Sequence, residues 1–364
     1  MATFTAHTYR LVGDIDIFFT DSGAPPNSTD YTTLLVLHGS AFNGRQYHFL
    51  FSMASKGFTT TLTHLNLRTI LWNRRDYPGS TRYTDAELED LTEGRKVFMD
   101  KIGQQIADFI VQFIEKENIP QASPDFKAGG VAVMGWSMGT ASVMTLFSDP
   151  TIISPEVYGV LEKYVRDLIL DDPPYLSFGY EVPKDVKTYD PWTDPDCKTP
   201  EELYQNFGFW VSSFYDHKNP HIGNLVDLDM RKRGDEYTVT KWTEEEFNKY
   251  YTADAAVRSE LKMYVEPMQT VLRDMAQKVF YDEKLIKSYF PKVKITLIVG
   301  TRTNWHCIWG PMENKRRYDA HIAQAGKTAR PVELYPIEGG NHFAHWEAPK
   351  TLLERAVEGS TRSV

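Results

Sequence analysis

The feature that most constrains this 364-residue chain is an alternation of short apolar runs with helical stretches, broken once in the middle. Runs from Tyr9 to Val12, Ile15 to Thr20, Thr33 to Leu37, Thr69 to Trp72, Val131 to Met134, Leu168 to Leu170, Val293 to Val299 and Val332 to Tyr335 have strand character. Helical spacings lie between them. Ile102, Ile106, Phe109, Ile110, Phe113 and Ile114 recur at three and four and stop before Pro120, as an amphipathic helix does. Strands that alternate with helices pair in parallel, because each crossover helix returns the chain to the same end of the sheet. The expected fold class is therefore α/β, a doubly wound and mostly parallel sheet with helices on both faces.

The break runs from Pro173 to about Pro291, with no strong strand and the Pro- and Asp-rich lead-in DDPPYLSFGYEVPKDVKTYDPWTDPDCKTP. Leu203, Phe207, Trp210, Val211 and Phe214 mark one helix there, and Val257, Leu261, Val265, Met268 and Leu272 suggest another, interrupted near Pro267. The expected organisation is a core of residues 1–172 and 291–364 with a helical cap of residues 173–290 inserted after the strand ending near Leu170. Within the cap, Thr243-Glu244-Glu245-Glu246 reads as a helix N-terminal cap and solvated face. Arg231-Lys232-Arg233 reads as an exposed turn before Gly234.

Composition narrows the partners. Forty Lys and Arg against 49 Asp and Glu leave a formal charge of −9, which argues against a groove for phosphate backbones, so nucleic acid is not an expected partner. A 41% hydrophobic and 24% charged content suits a packed globular core. Cys197 and Cys307 are too few and too far apart for a disulfide framework or a zinc site, so both read as reduced thiols. No window supplies about 18 uninterrupted apolar residues for a membrane span. The first residues lack the pattern of a secretory signal, and the last three, Arg362-Ser363-Val364, are not of the Ser-Lys-Leu type. A cytoplasmic protein acting on a small molecule is expected, with its oligomeric state open.

The most informative stretch is Ala128 to Gly139, AGGVAVMGWSMG, where an apolar strand runs into Gly135-Trp136-Ser137-Met138-Gly139 and a helix-compatible run follows. This G-x-S-x-G between strand and helix is the order that a sharp turn needs to lift a serine hydroxyl clear of a sheet. The helix N-terminus then faces a developing oxyanion. Leu34 to Ser40 is a second apolar strand running into a His-Gly turn, where the backbone N–H of Ser40 can point at a carbonyl oxygen and that of Met138 can join it. His38 reads as a structural turn residue. A base for the serine is expected from the loop after the last strand, Pro336-Ile337-Glu338-Gly339-Gly340-Asn341-His342, before a helix starting around Glu347. His342 is preferred to His345, which lies closer to the helix start.

These residues carry a resemblance. The HGS turn at 38–40, the run NRRDYPGS at 73–80, GWSMG at 135–139 and GGNHFAHWEAP at 339–349 follow in the order found in the α/β-hydrolase superfamily, and the chain resembles its lid-bearing esterase and lipase-like branch. The resemblance implies a nucleophile at Ser137, a base at His342, oxyanion donors at Ser40 and Met138, and a substrate-selecting lid. Relatives place an acid just beyond the penultimate strand, but here that loop reads Gly300-Thr301-Arg302-Thr303-Asn304-Trp305-His306-Cys307 and holds no carboxylate. Asp172, at the end of Leu168-Ile169-Leu170-Asp171-Asp172, is the substitute of choice, with Asp171 as its alternative and Asn304 as an uncharged third.

The expected function is cofactor-free and metal-free hydrolysis of a carboxylic ester or lactone through an acyl-enzyme. The dense aromatic residues of the insertion suit a bulky apolar or aromatic substrate, or form the lid's own core. Trp136, Phe42, Phe207 and Trp210 are the candidate substrate contacts. The same fold supports other outcomes: acyl transfer, carbon–carbon bond hydrolysis, cyanohydrin cleavage, cofactor-free dioxygenation with His342 acting on a substrate hydroxyl, or a ligand receptor.

Overall fold

The computed structural model describes residues 4–46, 62–220 and 224–361. Eight strands, β1 (Thr5–Leu11), β2 (Ile15–Asp21), β3 (Thr32–Leu37), β4 (Leu67–Trp72), β5 (Val131–Trp136), β6 (Val165–Asp171), β7 (Lys294–Gly300) and β8 (Val332–Ile337), form one sheet in the order β1-β2-β4-β3-β5-β6-β7-β8. β1 and β2 pair antiparallel at one edge, β2 joins β4 antiparallel, and every pairing from β4 to β8 is parallel. All eight expected runs are strands. β1 begins four residues before the expected Tyr9 because its first four residues, Thr5 to Thr8, are exposed and carry no large apolar side chain, so no apolar period marks them.

Consecutive residues of the central strands feed opposite cores, as a period of two requires. Leu35, Leu37, Val131 and Val133 join one apolar cluster; Leu34, Val36, Ala132 and Met134 join the other. Both faces are therefore covered, which is why β4 to β7 are buried along their whole length. Helix α1 (Val97–Glu117) turns Ile102, Ile106, Phe109, Ile110, Phe113 and Ile114 into the first cluster. Helix α2 (Gly139–Met144) follows β5 and is wholly buried.

The described residues between β6 and β7 contribute no strand to the sheet. They form α3 (Pro200–Ser212), α4 (Glu244–Tyr250), α5 (Met268–Tyr281) and several shorter turns. Thr243 caps α4 by accepting from the Glu246 amide while the Glu246 carboxylate accepts from the Thr243 amide, as expected of that run. Phe214 lies beyond the end of α3, although it shares that helix's spacing. The stretch from Val257 to Leu272 is interrupted near Pro267 as expected, but its part before the proline is a π turn (Ala256–Glu260) and a 3₁₀ turn (Leu261–Tyr264) rather than one helix, and α5 follows. Pro267 has no amide to donate, so no helix runs through it, and Val257 and Val265 face solvent. After β7 come α6 (Trp305–Ile322) and, beyond β8, a short turn (Ala344–Glu347) and α7 (Pro349–Thr361). The helical chain thus begins at Ala344, three residues before the expected Glu347. Among the described residues no helix is long and apolar enough to cross a membrane.

Candidate active site

β3, β5, β6, β7 and β8 are parallel neighbours, so their C-terminal ends lie along the same edge of the sheet. β5 ends at Trp136, and Ser137 takes a left-handed backbone with φ 55°, a conformation that strains any residue with a Cβ. Its amide donates to the Asp171 carbonyl at 2.9 Å and Thr140 Oγ1 donates to its carbonyl at 2.5 Å, so the neighbouring chain holds the turn. The two flanking glycines permit close approach. A Cβ at Gly135 would lie 2.4 Å from the Gly139 carbonyl oxygen, and one at Gly139 would lie 2.4 Å from that of Leu37.

One residue beyond β6, Asp172 also takes a left-handed backbone, φ 47°, and its amide donates to the Ile298 carbonyl at 2.7 Å. This turns the carboxylate toward the loop after β8. Asp172 Oδ2 lies 2.5 Å from His342 Nδ1. The end of β7 and the loop after it supply donors to Asp172: the Gly300 amide reaches Oδ1 at 3.0 Å and Thr303 Oγ1 reaches Oδ2 at 2.5 Å. Asp172, Thr303 and His342 are buried.

The alternative acids stand elsewhere. Asp171 pairs in register with Trp136, its backbone carbonyl holds Ser137, and burial, with the Asp172 charge second, pushes its carboxyl well above the usual range. It is not the partner of His342. Asn304 sits at the N-terminus of α6, and the imidazole Nδ1 contacts Asp172 rather than Asn304.

His342 is tied to the serine turn by Trp136. The indole Nε1 donates to the His342 carbonyl at 2.9 Å, and the two rings lie 4.9 Å apart. Among the described residues Ser137 Oγ makes no hydrogen bond, and the side-chain hydrogen bonds of His342 are on Nδ1, to Asp172 and Cys307. His345 packs between Trp136 and Phe343, and burial, with the His342 charge second, drives its pKa well down.

The turn after β3 faces the same point. A Cβ at Gly39 would fall 2.6 Å from Ser137 Cβ, so only glycine fits there. Ser40 follows, and Tyr264 donates its hydroxyl to Ser40 Oγ. Met138 precedes α2. Among the described residues neither the Ser40 nor the Met138 backbone N–H donates to a protein acceptor. His38 is a turn residue, as expected: its Nε2 accepts from the Arg74 amide at 3.0 Å and its Nδ1 contacts the Gly39 carbonyl at 2.8 Å.

Of the proposed substrate contacts, Trp136 and Phe42 are buried in an aromatic cluster with Phe343 and Trp242. Phe207 stacks on Trp192 at 4.5 Å, and Trp210 meets the His306 ring edge at 4.7 Å. Burial pushes the His306 pKa down to about 3.

Sequence reasoning missed Gly300, Thr303 and Cys307 as neighbours of Asp172 and His342. Cys307 Sγ lies 3.5 Å from His342 Nδ1, and burial followed by the Asp172 charge pushes its thiol well up. The side chains of Asp172, Cys307 and His342 offer three possible metal ligands within 4.8 Å of one another. At 2.5 Å, however, Asp172 and His342 are closer than two ligands each about 2.0–2.2 Å from a tetrahedral ion would stand. The contact has the length of a hydrogen bond.

No protein-family model matches the sequence, and no curated protein matches it either. Solved structures do. A putative aryl esterase from Burkholderia cenocepacia is 13% identical, with 97% of each chain covered and a TM-score of 0.50. An epoxide hydrolase from Vigna radiata is 13% identical, with 98% of each chain covered and a TM-score of 0.50. With the sheet order and the turn at Ser137, these likenesses establish the class: the chain has the α/β-hydrolase fold.

Proposed function

We propose that this protein is a serine hydrolase that cleaves a carboxylic ester or lactone through an acyl-enzyme. Ser137 attacks the carbonyl carbon, His342 accepts its proton and later returns it to the leaving group, and Asp172 stabilises the imidazolium through Nδ1. The amides of Ser40 and Met138 hold the oxyanion. Residues 173–290 act as a lid, and their aromatic side chains favour a bulky apolar or aromatic substrate. The observation that carries the reading is the 2.5 Å contact of His342 Nδ1 with Asp172, on a loop tied by Trp136 to the strained turn of Ser137.

Turnover of a panel of aryl esters, alkyl esters and lactones tests it. Ser137→Ala and His342→Ala are expected to abolish turnover, and unchanged activity in both contradicts the proposal. A second reading is favoured by the placement of the acid after β6: His342 takes a proton from a substrate hydroxyl, as in cofactor-free dioxygenation, and Ser137 is not a nucleophile. Loss of activity in His342→Ala with retention in Ser137→Ala would select it.

A further inference from the structure

The carbonyl of Gly39 is held from two sides. His38 Nε2 already accepts from the Arg74 amide, so Nδ1 carries the ring proton and donates it to Gly39 O at 2.8 Å. Burial drives the His38 pKa well down, which keeps the ring neutral in that tautomer. Arg74 Nη2 donates to the same oxygen at 2.8 Å. In a planar trans peptide the carbonyl and the following N–H point in opposite directions. Two donors that fix the Gly39 carbonyl therefore fix the Ser40 N–H on the other side, in the peptide that lies against Ser137.

Arg74 does not stand alone. The same Nη2 pairs with Glu260 Oε1, and Glu260 belongs to the segment between β6 and β7 and is 3% exposed. That segment also touches the turn elsewhere: the Thr252 amide donates to the Ala41 carbonyl at 2.6 Å and the Asn43 amide to the Tyr250 carbonyl at 2.9 Å, and Tyr264 donates to Ser40 Oγ. A guanidinium between a carboxylate and a carbonyl is held more rigidly than one facing a carbonyl alone, because charge-assisted hydrogen bonds are the stronger kind.

We infer that Arg74 and Glu260 are positioning residues that set the direction of the Ser40 N–H, so that docking of the segment between β6 and β7 governs how well the site receives an oxyanion. The inference rests on the hydrolase reading and adds to it a control exerted by the lid. An amide aimed at the transition-state oxygen acts on kcat more than on substrate binding.

The experiment measures kcat, KM and thermal midpoint on whichever aryl ester the wild-type protein turns over. Arg74→Met is expected to lower kcat about 30- to 100-fold and Glu260→Ala about 10-fold, with KM changed less than about threefold. Glu260→Gln keeps an acceptor for Arg74 and is expected to recover most of the loss. Arg258→Gln is the control. Arg258 ties the same segment to Asp76 at 2.8 Å without touching Gly39, and its kcat is expected to stay within about threefold of wild type. Retention of kcat in both Arg74→Met and Glu260→Ala, or an equal loss in Arg258→Gln, overturns the inference while leaving the hydrolase reading intact. A wild-type protein that turns over no ester and takes no fluorophosphonate at Ser137 overturns both.

Discussion

Asp172 and His342 are 170 residues apart in sequence and 2.5 Å apart in space. The carboxylate reaches the ring because Asp172 turns left-handed one residue past β6, while β8 delivers the histidine two strands away. The Asp172 carboxylate is also fully engaged, since Gly300 and Thr303 donate to its two oxygens. An anion so held can orient an imidazole and stabilise its charged form without taking the proton.

Asp172→Asn is the sharpest probe of that role. Asparagine tolerates the left-handed backbone, so the fold should persist, yet the ring loses its anion. We expect kcat to fall by about three to four orders of magnitude, as in serine proteases that lose this carboxylate. Asp171→Asn should stay within about threefold of wild type, because the Asp171 carboxyl is driven toward its neutral form and an amide replaces it closely. Steady-state kinetics on both variants decides; equal effects would contradict the assignment.

Trp136→Phe removes one hydrogen bond, leaves the His342 carbonyl unpaired in a buried place, and keeps most of the ring packing. Such a loss costs about 1–3 kcal/mol. The expected result is a lower urea midpoint together with a kcat reduced about tenfold, since the base loses its anchor. Unchanged kcat would mean that the loop needs no strut.

Three buried histidines make stability depend on pH. His38, His306 and His345 have pKa values lowered by burial. In the unfolded chain they take up protons near the ordinary value of about 6.5. Between the folded and unfolded values the unfolded state binds more protons, so stability is fully present above about pH 6.5 and declines as pH falls below it. The three shifts have the same sign, so their effects on stability add as pH falls from 7.5 to 5.5. Urea unfolding at the two pH values measures this, and equal stability would show that the rings are protonated in the folded protein.

Cys307 should resist alkylation. Its thiol is buried and its pKa is pushed well up, so little thiolate exists to react. Iodoacetamide at pH 8 should label Cys197, which is partly exposed, at least about 100-fold faster than Cys307, and label both after unfolding. Mass mapping of the two cysteine peptides reads the ratio.

Much of this was legible in the sequence. The eight strands announce themselves by apolar runs, because central parallel strands are buried on both faces, and the turns at Ser137 and His38 carry glycines that only close approach explains. The contact between Asp172 and His342 obeys no local period; the acid could be reached only by noticing the empty loop after β7 and looking along the preceding strand. No carboxylate stands there, yet Gly300 and Thr303 donate to Asp172, a part any glycine amide or threonine hydroxyl can fill. Trp136 stood among the substrate contacts, yet its indole nitrogen holds the His342 carbonyl, a tertiary bond with no signature in its neighbours. The helical spacing of Val257 and Val265 misled in the opposite way: ahead of the interruption expected near Pro267 the chain forms a π turn and a 3₁₀ turn rather than one helix, and both valines are exposed.

The most direct test is peptide mapping by mass spectrometry after exposing the folded protein to a fluorophosphonate. One covalent adduct on Ser137 is expected in the wild type and none in His342→Ala, because only a hydroxyl served by that imidazole is nucleophilic enough to react. No adduct on Ser137, or one that forms equally well without His342, would contradict the account.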